Sequence, residues 1–193
     1  MDPLERPAVL ICDMQNDFLK GEFAPPDAAE RYGPAIVNCQ RLVEAARARG
    51  LPVLFSRIAF RPGYPDANPH SPARQRGNLL LLGTWGGDVV DELAPRPDEV
   101  VITKKRTSVF FATELDLVLR GMGVRTLVLG GIATHLAVES TARDAHAHDY
   151  EVCVVSDAST ALQAEFQEPS LRTVAAFFGR VHTTDEVVAA LGG

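Results

Sequence analysis

Short, unbroken apolar runs alternate with amphipathic stretches from one end of the chain to the other. The first run, Ala8 to Cys12, stops at Asp13. Others cover Pro52 to Phe55, Val100 to Thr103, Thr126 to Leu129 and Val152 to Val155, with a less apolar one at Arg180 to Thr183. Runs of this length without polar alternation predict strands covered on both faces of a parallel sheet. Between the first two, Ile36, Val37, Cys39, Leu42, Val43 and Ala46 keep three- and four-residue spacing, the stripe of a helix that Gly50 stops. Leu115, Val118, Leu119 and Met122 repeat that pattern, and Leu136 to His148, Leu171 to Phe178 and Glu186 to Leu191 predict three more helices. Six strands alternating with helices predict an α/β fold with a mostly parallel sheet.

In such sheets ligands bind beyond the carboxyl ends of the strands, so the residues that follow each run are the place to look for chemistry. The first strand leads into Asp13-Met14-Gln15-Asn16-Asp17-Phe18. An aspartate there is either a proton-transfer group or a cap for the next turn. The third leads into Lys104-Lys105-Arg106, either a solvated surface turn or a source of one cation for Asp13. The fourth leads through Gly130-Gly131-Ile132-Ala133-Thr134 into a helix whose first N–H groups form an oxyanion site. A cysteine in that turn would be an activated nucleophile, and position 137 is an alanine. Two irregular stretches, Lys20 to Pro34 and Ala59 to Gly87, are long enough to be lids or binding loops. Within the second, Leu79 to Leu82 reads as core or subunit interface.

A length of 193 residues predicts one domain, 1–193. Hydrophobic residues at 46% and charged ones at 23% exclude a disordered or fibrous chain. A formal charge of −6 argues against nucleic acid and anionic membranes as partners. No apolar run reaches membrane-spanning length, and the N-terminal residues lack a basic start and an apolar signal core, so the expected location is cytoplasmic. Cys12, Cys39 and Cys153 are too scattered for a disulfide framework.

Taken in order, the strand-end motifs resemble those of the isochorismatase-like hydrolases, the cysteine hydrolase superfamily. Asp13 to Phe18 is similar to the first motif, Lys104 with Ser108-Val109-Phe110 to the second, and Gly131 to Thr134 with Val138 to Ala145 to the third. Ser156-Asp157-Ala158 completes the set. The resemblance implies a three-layer α/β/α sandwich of Rossmann-like strand order and a homo-oligomer, dimer or tetramer. It implies catalytic positions at Asp13, Lys104 and Ala137, and a non-proline cis peptide at Ile132–Ala133 that aims the N–H groups of Ala133 and Ala137 at a substrate oxygen. Phe18, Ile132 and Thr134 fall beside the substrate by the same resemblance, as does Trp85, with Arg57 or Arg76 as its carboxylate anchor.

The departure lies in the third catalytic position, where family amidases carry cysteine and this chain has Ala137. Strand alternation predicts that Cys12 faces away from Asp13, while Cys39 and Cys153 fall in core elements. No native thiol is expected to replace the missing one. The expectation is a hydrolase of a small polar or anionic molecule, using Asp13 and Lys104 without covalent catalysis. Two alternatives stay open: an amidase of the ureidoacrylate or carbamoyl class carrying a Cys-to-Ala change, and a non-catalytic small-molecule-binding member. Only His70 stands near the stretch where family nicotinamidases hold a metal, so neither metal nor cofactor is expected.

Overall fold

The computed structural model describes residues 3–21 and 24–192. Six strands form one sheet in which every pairing is parallel, in the order β3-β2-β1-β4-β5-β6. They are β1 (Pro7–Cys12), β2 (Val53–Ile58), β3 (Val100–Lys104), β4 (Thr126–Ile132), β5 (Glu151–Thr160) and β6 (Arg180–His182). The central strands β1 and β4 are buried almost throughout, which explains their unbroken apolar runs.

Helices cover both faces, giving three layers. On one face α2 (Ala28–Ala48) and α7 (Thr184–Leu191) pack on Val9, Ile11, Val128 and Cys153. On the other, α4 (Leu115–Gly121), α5 (Glu139–Ala147) and α6 (Gln167–Phe177) pack on Leu10, Cys12, Leu127 and Val154. Two short helices, α1 (Asn16–Leu19) and α3 (Pro72–Arg76), sit in the segments that follow β1 and β2. No helix among the described residues is long and apolar enough to cross a membrane.

Element ends differ from the sequence reading in instructive ways. Much of the expected irregular stretch Lys20 to Pro34 is helix, because α2 begins at Ala28 and carries Pro34 inside it. Glu22 and Phe23, in the same stretch, lie outside the described residues. Pro34 removes one backbone donor, but Ala28, Tyr32 and Ala35 are buried and extend the stripe of Cys39 and Leu42 backwards, so packing outweighs the breaker. Strand β5 runs five residues past Val155, after a register shift against β4 between Leu129 and Gly131. The expected strand end Thr183 instead caps α7 through a capping box with Glu186. Asp157 of the fifth-strand motif braces the same helix, its Oδ1 accepting from the Thr184 backbone N–H at 2.7 Å and the Thr184 hydroxyl at 2.8 Å.

Gly131 marks the point where β4 turns out of the sheet. Its φ is +109°, and a Cβ there would stand 2.1 Å from the Cys12 carbonyl oxygen and 2.6 Å from the Cys12 nitrogen. Both atoms belong to the neighbouring strand and cannot move without opening the sheet. Gly131→Ala should therefore cost about 3 kcal/mol or more, read as a lowered midpoint in urea denaturation.

Candidate active site

Asp13 leaves β1 at φ +52°, a left-handed conformation that swings it out of strand alternation. Its N–H donates to the Ser56 carbonyl, 3.1 Å away on β2. One carboxylate oxygen accepts from the Ser56 hydroxyl at 2.7 Å, and the other meets Lys104 Nζ at 2.6 Å. Lys104 ends β3 and is 1% exposed, Asp13 5%. The ammonium also donates to the carbonyls of Arg106 at 3.1 Å and Thr107 at 2.7 Å. Three N–H groups thus meet three acceptors, and Lys104 is fully committed. Removing either partner of such a buried pair strands the other charge at a cost of about 3–5 kcal/mol.

The three adjacent cations do not share one fate. Lys105 turns back to the Ala59 carbonyl and lies 3.7 Å from Asp66, while Arg106 donates to the Asp66 carbonyl at 3.0 Å. Burial pushes the Lys105 ammonium below its usual range, with Asp66 opposing. Only the first cation of the run enters the site, because only it lies on the strand.

The pair closes one end of a cavity of about 320 Å³. Ile132, Ala133 and Ala137 line it from the β4 side, and the Ile132–Ala133 peptide is cis. After it, Thr134–Val138 makes a single π-type turn that runs into α5, a feature common where a helix end serves a site. Phe18, Ile58, Phe60, Leu80, Leu136 and Leu162 supply most of the remaining wall. A larger depression of about 650 Å³ beside Phe177 and Arg180 lies at the amino ends of β5 and β6 and has no comparable pair of buried opposite charges.

Not every residue expected beside the substrate reaches this cavity. Phe18, Ile132 and Ala133 do, whereas Thr134, Arg57, Arg76 and Trp85 lie outside the lining. Arg57 instead donates to Asp88 at 2.6 Å and to the Thr103 hydroxyl at 3.1 Å, which turns its charge away. Arg76 sits on the exposed side of α3, and Trp85 is 56% exposed. Thr134 is buried behind the turn, its carbonyl accepting from Ser170 at 3.3 Å.

The first motif proves to be mostly an anchor. Gln15 donates to the carbonyls of Ile58 at 3.0 Å and Gly87 at 2.9 Å and accepts from the Ile58 N–H at 2.8 Å. Asn16 donates to the Trp85 carbonyl at 2.8 Å, and Asp17 accepts from the Leu80 N–H at 2.7 Å. These bonds pin the long segment between β2 and β3 against β1 and press Leu79 and Leu80 into the cavity. Ser56 is absent from the sequence reading, and Leu79 and Leu80, expected as core or subunit interface, are buried but also line the cavity. A serine breaking the apolar run of β2 was the available signal for the first, and nothing local signalled that the leucines face the cavity.

Cys12 corrects the expectation from alternation. Cys12 keeps the alternation of Ala8 and Leu10 on the face that also buries Ala137 and Val138, and it is Asp13, twisting out of the strand, that comes round to that face. Cys12 is nonetheless fully buried, and burial, with Asp13 adding to it, pushes its thiol from 9.0 up to about 12. Burial likewise raises Cys39, and lifts Cys153 to about 12. The folded protein therefore holds these protons more tightly than the unfolded chain, so stability is unaffected below about pH 9 and declines as pH rises from there towards 12. At pH 8 iodoacetamide should label no cysteine of the native protein and all three after denaturation. Rapid labelling of the native form would contradict this account.

The isochorismatase domain profile matches residues 7–186. Ureidoacrylate amidohydrolase RutB from Pseudomonas syringae pv. syringae is 39% identical over 199 residues, spanning 93% of this chain and 81% of the relative. The crystal structure of a cysteine hydrolase from Pseudomonas syringae pv. phaseolicola is similar with a TM-score of 0.88 at 29% identity, covering 100% of this chain and 98% of that one. N-carbamoylsarcosine amidase from Thermoplasma acidophilum reaches a TM-score of 0.79 at 28% identity, covering 94% and 98%.

Proposed function

From the premise that this chain belongs to the isochorismatase family of hydrolases, we propose that it hydrolyses a carbon–nitrogen bond of an amide or ureido group with water, not a thiolate, as nucleophile. The observation that carries this reading is the buried Asp13–Lys104 pair facing Ala137 across the cavity. Relatives named as amidohydrolase and amidase support the choice of bond. In this reading Lys104 and Ser56 orient Asp13, leaving carboxylate lone pairs for a water molecule. Asp13 takes the proton as water oxygen adds to the carbonyl carbon. The developing oxyanion is received by backbone N–H groups of Ala133 and Ala137 at the π-type turn. Asp13 then returns the proton to the departing nitrogen, so amide and water become acid and amine.

The position of Lys104 narrows its role. With its three donors satisfied, it is a positioning residue for Asp13 and not a second oxyanion donor. Ala137 itself favours a second reading, in which the cavity binds a ligand and turns nothing over. Steady-state hydrolysis of a panel of short amides and ureides by the unaltered protein, beside Asp13→Asn, separates the two. Turnover that depends on Asp13 supports the hydrolase, and absent turnover, or turnover indifferent to Asp13, removes it.

A further inference from the structure

We infer that the cavity takes an uncharged and largely apolar substrate, a carboxamide or ureide carrying an alkyl or aryl substituent, and discriminates against carboxylates. The inference rests on the hydrolase reading above for the reacting group, and on the wall for everything else. Phe18, Phe60, Leu80, Leu136 and Leu162 present hydrocarbon to the space next to Asp13. The only charged residues among the described lining are Asp13 and Lys104.

A bound carboxylate would need a cation or several free donors to offset its lost hydration. Lys104 has none to give, since Asp13 at 2.6 Å and the Arg106 and Thr107 carbonyls at 3.1 and 2.7 Å occupy its three N–H groups. Asp13 would repel a second anion. Arg57 is turned to Asp88, and Lys105 and Arg106 are turned to Asp66 and main-chain carbonyls. Ser71 and Thr107 are the remaining polar side chains of the lining and suit one neutral polar group.

Methyl ketones test the ligand class without turnover, because they offer a carbonyl but no bond to hydrolyse. Methyl pentyl ketone and the same chain ending in a carboxylate should be titrated calorimetrically against the unaltered protein and against Leu136→Arg. Leu136 is 42% exposed while lining the cavity, so the arginine can reach the cavity from the surface without disturbing the core. The neutral ketone should bind at least about 30-fold tighter to the unaltered protein, and Leu136→Arg should improve the carboxylate about tenfold. Equal or tighter binding of the carboxylate to the unaltered protein overturns the inference, as does failure of the ketone to saturate. Hexanamide turnover is measured in parallel. Ketone binding with no amide turnover would remove the hydrolase reading and uphold the ligand class.

Discussion

Asp13→Asn should lower turnover of an amide substrate about a thousandfold, within the range that a positioned acid–base group contributes. The asparagine keeps the size of the side chain, and its one amide oxygen can accept from Lys104 while its NH2 group donates to the Ser56 hydroxyl oxygen, but it cannot take a proton from water. The same change leaves Lys104 as a buried charge without a counter-charge, so a loss of about 3–5 kcal/mol accompanies it. Stability and chemistry can be separated with a second variant. The double change Asp13→Asn with Lys104→Met removes both charges and should recover part of the lost stability, because an apolar side chain tolerates that site better than a lone ammonium. Activity should not recover with it. Circular dichroism melts and initial rates on the same preparations read the two effects. Turnover returning together with stability would show that Asp13 served the fold and not the chemistry.

Ala137→Cys should have an effect of similar size in the opposite direction. The side chain at 137 faces the cavity that holds Asp13, at the turn preceding α5. A thiol there can lose its proton to Asp13 and add to the substrate carbonyl, expelling the amine and leaving a thioester that water then cleaves. Amide hydrolysis should rise by at least ~10³-fold, since one hard step becomes two easier ones. Iodoacetamide should label one thiol per native chain, against none before, because the three native cysteines are buried. Mass spectrometry of the variant quenched during turnover should show the acylated chain. Labelling without any gain in hydrolysis would mean that the substrate carbonyl does not sit over residue 137, and would overturn the proposed geometry of attack.

Different parts of the site were legible for different reasons. Asp13 and Lys104 could be found because each stands directly after an apolar run, and in a parallel sheet that position alone puts a side chain at the ligand-binding edge. The arginines could not be placed the same way. Arg57 lies on β2 close to the site, yet its charge is drawn off by Asp88, thirty-one residues further along the chain. Nor could alternation set Asp13 against Cys12, because Cys12 keeps the period of Ala8 and Leu10 while the left-handed backbone of Asp13 breaks it. The apolar wall was hidden for a simpler reason. Leu79 and Leu80 sit in a segment without helical or strand period, and reach the cavity only through bonds such as that from the Leu80 N–H to Asp17.

What the sequence determined by itself was the layered α/β fold, the strand ends that carry the charged pair, and the alanine where a thiol would stand. Those are local properties: apolar run length, the residue that follows each run, and the chemistry of one side chain. Tertiary structure alone decided that Lys104 has no donor left for a substrate, that Arg57 and Arg76 stay out of the cavity lining, and that the wall beside Asp13 is hydrocarbon. These are long-range outcomes, set by which of several partners each charge meets once the segment between β2 and β3 folds back across β1. A sequence shows the charges available, but their pairing depends on distances that exist only after the chain has closed on itself.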